Sequence, residues 1–121
     1  MNKSILIVED DAKLRDALCM ITKKEGYLPT GVESGEEALE KASEHIYAMV
    51  ISDLKLPGIN GMQVLQSIRS ASPDTSMIII TAYASVDTAV EAMKNGAEDY
   101  LVKPFSLDEI RLIINKVMEK R

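Results

Sequence analysis

Tryptophan is absent from this chain, and cysteine, histidine and phenylalanine occur once each, as Cys19, His45 and Phe105. A lone cysteine excludes an internal disulfide and fits a reducing compartment. One histidine and one cysteine exclude a zinc site built from those two residue types. Long apolar stretches are also missing. Runs such as Ile5-Leu6-Ile7-Val8 fall far short of a membrane span. The start Met1-Asn2-Lys3-Ser4-Ile5 lacks the apolar core of a signal peptide, so a cytoplasmic location away from the membrane is expected. Positive charge is in deficit, with 14 Lys and Arg against 19 Asp and Glu for a net charge of -5. That balance gives no electrostatic footprint for nucleic acid. Any role in gene control must run through another domain or a partner protein. No Gly-rich nucleotide loop of the Walker type occurs, so this chain is not expected to bind ATP in that way.

What is present is the composition of a globular protein, 46% hydrophobic and 27% charged over 121 residues. That length is enough for one sizeable core. Strand-like and helix-like segments alternate along it. Ser4 to Val8 reads as a buried strand because it is apolar throughout. Asp11 to Glu25 places Leu14, Ala17, Leu18 and Ile21 on one helical face, and Gly26 stops it. Tyr27 to Val32 is a second strand, and Pro29 within it argues for a sheet edge, since proline cannot donate to a ladder. Ser34 with Glu37 predicts a capping box for the next helix. Ala48 to Ser52 is a third strand ending at Asp53, followed by a Pro-Gly and Asn-Gly loop and a helix carrying Val64, Leu65 and Ile68. Met77 to Ile80 ends at Thr81. A helix from about Ser85 carries Val86, Ala89, Val90 and Met93 up to Gly96. Tyr100 to Val102 ends at Lys103-Pro104, and Ser106 with Glu109 predicts a second capping box.

Five βα units with no repeat or internal linker predict one domain over 1–121. The fold class is α/β, a doubly wound five-stranded parallel sheet of flavodoxin-like (βα)5 form. The strand order 2-1-3-4-5 puts the Pro29 strand at the edge. A closed eightfold barrel would need about twice the length.

Ligands of such sheets bind beyond the carboxyl ends of the strands. Residues expected there are Glu9, Asp10 and Asp11 after the first strand, Asp53 after the third, Thr81 after the fourth and Lys103 after the fifth. Asp11 fits better as the acidic start of a helix. Carboxylates brought together repel, and a hard divalent cation such as Mg2+ with oxygen ligands resolves that repulsion. A carboxylate can attack phosphorus and form an aspartyl phosphate, with a lysine and a hydroxyl stabilising the transferred group. A small phosphatase and a flavodoxin-like binding module share the sheet and stay open at this point. The first lacks a visible general acid and cap, and the second lacks a phosphate loop after strand one.

The stretches Ile5-Leu6-Ile7-Val8-Glu9-Asp10-Asp11, Asp53-Leu54-Lys55-Leu56-Pro57-Gly58-Ile59-Asn60-Gly61, Thr81-Ala82-Tyr83 and Asp99-Tyr100-Leu101-Val102-Lys103-Pro104-Phe105, in this order and spacing, resemble the receiver domain of bacterial two-component response regulators. The segment from Thr81 to Met93 is similar to receivers of the nitrogen-regulation (NtrC-like) class. The resemblance implies a signalling switch rather than a turnover enzyme. It implies Asp53 as phosphoacceptor for a sensor histidine kinase, with Thr81 and Lys103 contacting the phosphoryl group. It further implies Mg2+ held by Asp10, Asp53 and the backbone carbonyl of Lys55, with Glu9 acting through water, and a cis Lys103-Pro104 bond.

In that reading Thr81 and Tyr100 are the switch residues. They alter the surface of the fourth helix, fifth strand and fifth helix toward an output domain or effector protein, in transcription regulation. The side chains of Lys55 and Tyr83 would tune the lifetime of the phosphate. Ala92 and Leu112 are expected on the outer faces of their helices, where a homodimer could form on activation.

Overall fold

A computed structural model describes all residues 1–121. The chain runs β1 (Ser4–Val8), α1 (Ala12–Lys24), β2 (Leu28–Val32), α2 (Gly35–Glu44), β3 (Met49–Asp53), α3 (Gly61–Ala71), β4 (Ser76–Thr81), α4 (Val86–Lys94), β5 (Asp99–Val102) and α5 (Leu107–Glu119). All strands pair in parallel, in the order β2-β1-β3-β4-β5. The α/β fold and strand order expected from the alternation are therefore those of the molecule. β2 lies at the edge with Pro29 opposite Ile5, where a missing N–H costs least. No helix is long and apolar enough to cross a membrane.

The strands β1, β3 and β4 read as apolar runs because both of their faces are covered. On one face Leu6, Val8, Val50, Met77 and Ile79 pack with Val64, Leu65 and Ile68 of α3, Ala38 of α2 and Ala92 of α4. On the other, Ile5, Ile7, Met49, Ile51, Ile78 and Ile80 pack with Leu18 of α1 and Ile110, Ile114 and Val117 of α5. The period of two along each strand divides its residues between these layers.

Helix starts follow side-chain caps. Asp11 accepts from Lys13 N and Leu14 N at the head of α1. Ser106 and Glu109 form the expected reciprocal box at α5. Ser34 accepts from Glu37 N, but Glu37 turns its carboxylate to the Ser34 hydroxyl (3.4 Å) instead of the Ser34 backbone, so only half of the expected box exists at α2. Two boxes not expected from the sequence cap α3 (Asn60 with Gln63) and α4 (Ser85 with Thr88). Ala92 also corrects the expectation. It is fully buried against the sheet, whereas Leu112 is exposed as expected. The row that α4 turns outward is Val86, Val90 and Met93.

One close approach ties the fold to the strand-end loops. A Cβ at Gly61 would collide with the carbonyl oxygen of Asp53 and lie 2.7 Å from Leu54 Cα. The first residue of α3 must lie flat on the end of β3, and Gly61 N donates to Leu54 O at 2.8 Å to close the loop. Backbone on backbone cannot yield as a side chain would. Gly61→Ala is expected to destabilise the fold by about 2 kcal/mol, read as a lowered urea midpoint at unchanged slope. A midpoint equal to the parent's would show that the loop can move away freely.

Candidate functional site

The chain reverses its direction of winding between β1 and β3, and that pair opens the crevice where ligands of such sheets bind. Val8 pairs with Ser52, so the next residues, Glu9 and Asp53, emerge side by side. Asp53 in turn lies opposite Ile80, and Thr81 lies opposite Val102. Lys103 N donates to Thr81 O at 2.8 Å, extending the β4–β5 ladder by one residue and bringing the lysine to the same edge.

The lysine side chain turns back across the sheet. Its ammonium lies 2.7 Å from Asp53 Oδ2 and 2.7 Å from Glu9 Oε1. The first contact has hydrogen-bond geometry. The second is a close charge pair that leaves Glu9 Oε1 buried without a well-directed donor. The other oxygen of each carboxylate takes a backbone N–H: Asp11 N to Glu9 Oε2 at 3.0 Å and Lys55 N to Asp53 Oδ1 at 3.1 Å. Glu9 is fully buried and Asp53 is 5% exposed. Asp10 is exposed, and its carboxylate makes no hydrogen bond or ion pair.

These contacts set the ionisation. Burial pushes the Glu9 carboxyl above its ordinary value, against the Lys103 ammonium and the Asp11 N–H that favour the anion, and the charge of Asp53 adds to the rise. For Lys103, burial opposes the charged form. The hydrogen bond to Asp53 and the close carboxylates of Asp53 and Glu9 outweigh it, and the ammonium titrates higher than usual.

One oxygen each from Glu9, Asp10 and Asp53 can be chosen within 4.8 Å of one another. Three carboxyl groups share a single ammonium. The donors are oxygen only, and this set fits a hard divalent cation of the Mg2+ type better than a soft metal.

Thr81 is buried, and its hydroxyl accepts from Tyr83 N at 3.0 Å. The Tyr83 ring is largely exposed and lies beneath the Lys55 ammonium, 4.3 Å from ring centroid to Nζ. The two form a cation–π pair. A cavity of about 440 Å³ opens beside them, lined by Leu54, Leu56, Met62, Thr81 and Thr88 among others. Tyr100 is half-buried, packs against the α3 side of the core and shares a 3.0 Å hydrogen bond with Thr88 Oγ1. The Lys103-Pro104 bond is cis, as the resemblance implied.

The structure thus brings Glu9, Asp10, Asp53 and Lys103 together, sets Thr81, Lys55 and Tyr83 around them, and leaves Tyr100 behind Thr88. Asp11 is occupied as a helix cap. Thr88 was missed, although its position three residues after Ser85 is a readable capping signal. Arg15 was missed too; its Nη1 donates to Glu9 O at 2.8 Å, and nothing in the sequence separates it from a solvated helix residue.

The sequence pattern described as "Response regulator receiver domain" matches residues 5–115. "Response regulator protein FleR" of Pseudomonas aeruginosa is 43% identical over 117 residues, which is 97% of this chain and 24% of FleR. "Transcriptional regulatory protein ZraR" of Klebsiella oxytoca is 37% identical over 114 residues, 94% of this chain and 26% of ZraR. The chain therefore spans about a quarter of the length of these curated relatives. The solution structure of the beryllofluoride-activated NtrC4 receiver domain dimer superposes with a TM-score of 0.92 at 36% identity, covering 98% of each chain.

Glu9 gives the site a pH signature. Because the folded state raises its pKa, Glu9 favours folding while protonated, and this contribution fades as pH rises past the ordinary value of 4.5. The amide of Glu9→Gln mimics the protonated form. Without metal, Glu9→Gln should melt above the parent at pH 7, and the difference should vanish as pH falls below the ordinary value. A variant that melts lower at pH 7 would mean that the Lys103 ion pair outweighs the burial of the charge.

Proposed function

We propose, because this chain belongs to the family of response regulator receiver domains, that residues 1–121 form one such domain and that Asp53 is its phosphoacceptor. A receiver takes a phosphoryl group onto itself and releases it, and does not turn over a separate substrate. The observation that carries the assignment to Asp53 is its setting. Lys103 and a backbone N–H hold Glu9 as well, but Glu9 is fully buried, whereas Asp53 is the last residue of β3, keeps some exposure, and alone takes the Lys103 ammonium in hydrogen-bond geometry.

A carboxylate oxygen of Asp53 attacks phosphorus, the O–P bond forms, and the bond to the donor's leaving group breaks. Lys103 is already within contact distance of the acceptor and offsets charge on the transferred group. The hydroxyl of Thr81, whose oxygen accepts from Tyr83 N, has its hydrogen free to donate to a phosphoryl oxygen as it turns inward. Asp10, Asp53 and the Lys55 carbonyl would hold Mg2+, with Glu9 contributing through water. The cation, when bound, supplies positive charge that offsets the phosphoryl oxygens. The donor is a sensor histidine kinase. The controlled surface is α4, β5 and α5, where Val86, Val90, Met93, Val102, Leu107 and Leu112 are exposed. Its partner is an output domain or effector in transcription regulation, or a second copy of this chain on activation.

Lys55 and Tyr83 tune the lifetime. Their cation–π pair joins the loop after Asp53, where Lys55 N donates to the acceptor, to the loop after Thr81, and a bulky pair bridging these two loops would hinder water from reaching the acyl phosphate. Incubation with acetyl phosphate and Mg2+ should add one phosphoryl group by intact mass, and Asp53→Ala should abolish the addition. Tyr83→Ala should lose the group several-fold faster than the parent. Phosphorylation of Asp53→Ala at the parent's rate would sink the acceptor assignment, and unchanged decay would remove Tyr83 from lifetime control.

Thr81 and Tyr100 are the moving parts. Shifting a population from 1:99 to 99:1 takes about 5.5 kcal/mol. One charge-assisted hydrogen bond gives about 1.5–3 kcal/mol, so Thr81 needs Lys103 and the cation beside it. Crystals with and without beryllofluoride should differ in the Tyr100 rotamer and in its bond to Thr88. An identical rotamer in both would remove Tyr100 from the switch.

A further inference from the structure

Asp10 is the exposed member of the acidic cluster, and no side chain or backbone group bonds its carboxylate. Its direction is therefore set by its own backbone, that is, by the two peptide groups that flank it. Both are held by side chains. The Asp11 N–H, which closes the peptide after Asp10, donates to Glu9 Oε2 at 3.0 Å. The Glu9 carbonyl, which opens the peptide before Asp10, accepts from Arg15 Nη1 at 2.8 Å. Glu9 N is in turn fixed to Val32 O at 3.0 Å.

Arg15 reaches this carbonyl from the first turn of α1, with its stem laid across β2. The place it crosses is Gly31, where a Cβ would come within 3.2 Å of Arg15 Cγ and 3.3 Å of Cδ. A strand residue without a side chain thus leaves room for the arginine to lie flat. The contact is partly shielded from water, and a charged donor on a carbonyl in such a place makes a stronger bond than an exposed neutral one.

We propose that Arg15 is a positioning residue of the cation site: by holding the Glu9 carbonyl it aims the Asp10 carboxylate at the ion shared with Asp53. This rests on the reading of Asp10 and Asp53 as cation ligands. Partners that orient ligands from outside the coordination shell typically change metal affinity by about 10- to 100-fold when removed. The sign of the effect separates positioning from plain electrostatics. A positive charge near the site repels Mg2+, so deleting it without any loss of aim would tighten binding. Losing the aim loosens it.

The test is Mg2+ titration of the full chain, followed by calorimetry or by amide shifts, for the parent, Arg15→Met, Arg15→Lys and Asp10→Asn. Arg15→Met is expected to raise the Mg2+ Kd roughly tenfold, with Arg15→Lys between it and the parent, since one donor can still reach the carbonyl. Metal-free melting temperature and far-UV circular dichroism are the control for a merely structural role. A loss of stability with unchanged Kd overturns the proposal, as does tighter binding in Arg15→Met. If Arg15→Met does not fold, Arg15→Lys decides alone: a Kd equal to or below the parent's overturns the proposal. Phosphorylation by acetyl phosphate should need more Mg2+ in Arg15→Met but reach the parent's rate at saturation. Asp10→Asn separates the two levels of inference. If it leaves the Kd unchanged, the ligand reading itself fails. If it weakens binding while Arg15→Met does not, only the positioning role fails.

Discussion

The ammonium of Lys103, 2.7 Å from both Glu9 and Asp53, is what lets two carboxylates lie buried next to each other at the end of a sheet. Taking a charge out of water costs several kcal/mol, and a second like charge beside it adds repulsion. A single cation between them opposes both, and the backbone N–H groups of Asp11 and Lys55 satisfy the outer oxygens. The arrangement depends on strand order. Only because β1, β3, β4 and β5 are contiguous and parallel do residues separated by up to 94 positions in sequence, Glu9 and Lys103, end at the same edge. The offset is incomplete, since Glu9 still titrates high and Asp10 has no partner. The oxygen donors left without a cationic partner suit a hard divalent ion.

Much of this was legible in the sequence because the signals were backbone signals. Apolar runs such as Ile5–Val8 and Met77–Ile80 can be buried on both faces only in a parallel sheet with helices on each side. Pro29 assigned its strand to the edge. The residues just beyond each run then had to share one end of the sheet, so Asp53, Thr81 and Lys103 could be grouped before any contact was known. What could not be read was decided by side-chain direction. The sequence does not say that Lys103 bridges Glu9 to Asp53, that Thr81 is engaged by Tyr83 N, or that Arg15 turns to a carbonyl instead of to solvent.

Ala92 shows the same limit from the opposite side. α4 has nine residues and apolar side chains around more than one face, so its pattern fits two orientations. Packing chose the one with the small Ala92 against the sheet and Val86, Val90 and Met93 outward. Hydrophobic periodicity identifies a face that must be covered, but it does not distinguish a core face from one that awaits a partner. Ser34 and Glu37 failed for a related reason: the spacing of a capping box permits the reciprocal bond without requiring it, and at an exposed helix end the alternative rotamer costs little.

The hydrogen bonds around α4 bear on how the proposed switch can be both stable and responsive. Thr88 is bonded to the backbone and side chain of Ser85 and also to the hydroxyl of Tyr100. One threonine therefore joins the helix cap to the half-buried aromatic. The helix contacts the sheet largely through β5 and one small buried residue, Ala92, while its larger apolar side chains lie outside. Moving such a helix exposes little additional apolar surface, so the hydrophobic term that resists a shift is small. Resistance falls instead on a few hydrogen bonds, each worth about 1 kcal/mol net. A few charge-assisted contacts at Asp53 are enough to compete with those bonds. They could not compete with the burial of a helix anchored like α3 or α5, and this favours α4 as the element through which the proposed change at Asp53 would reach the surface.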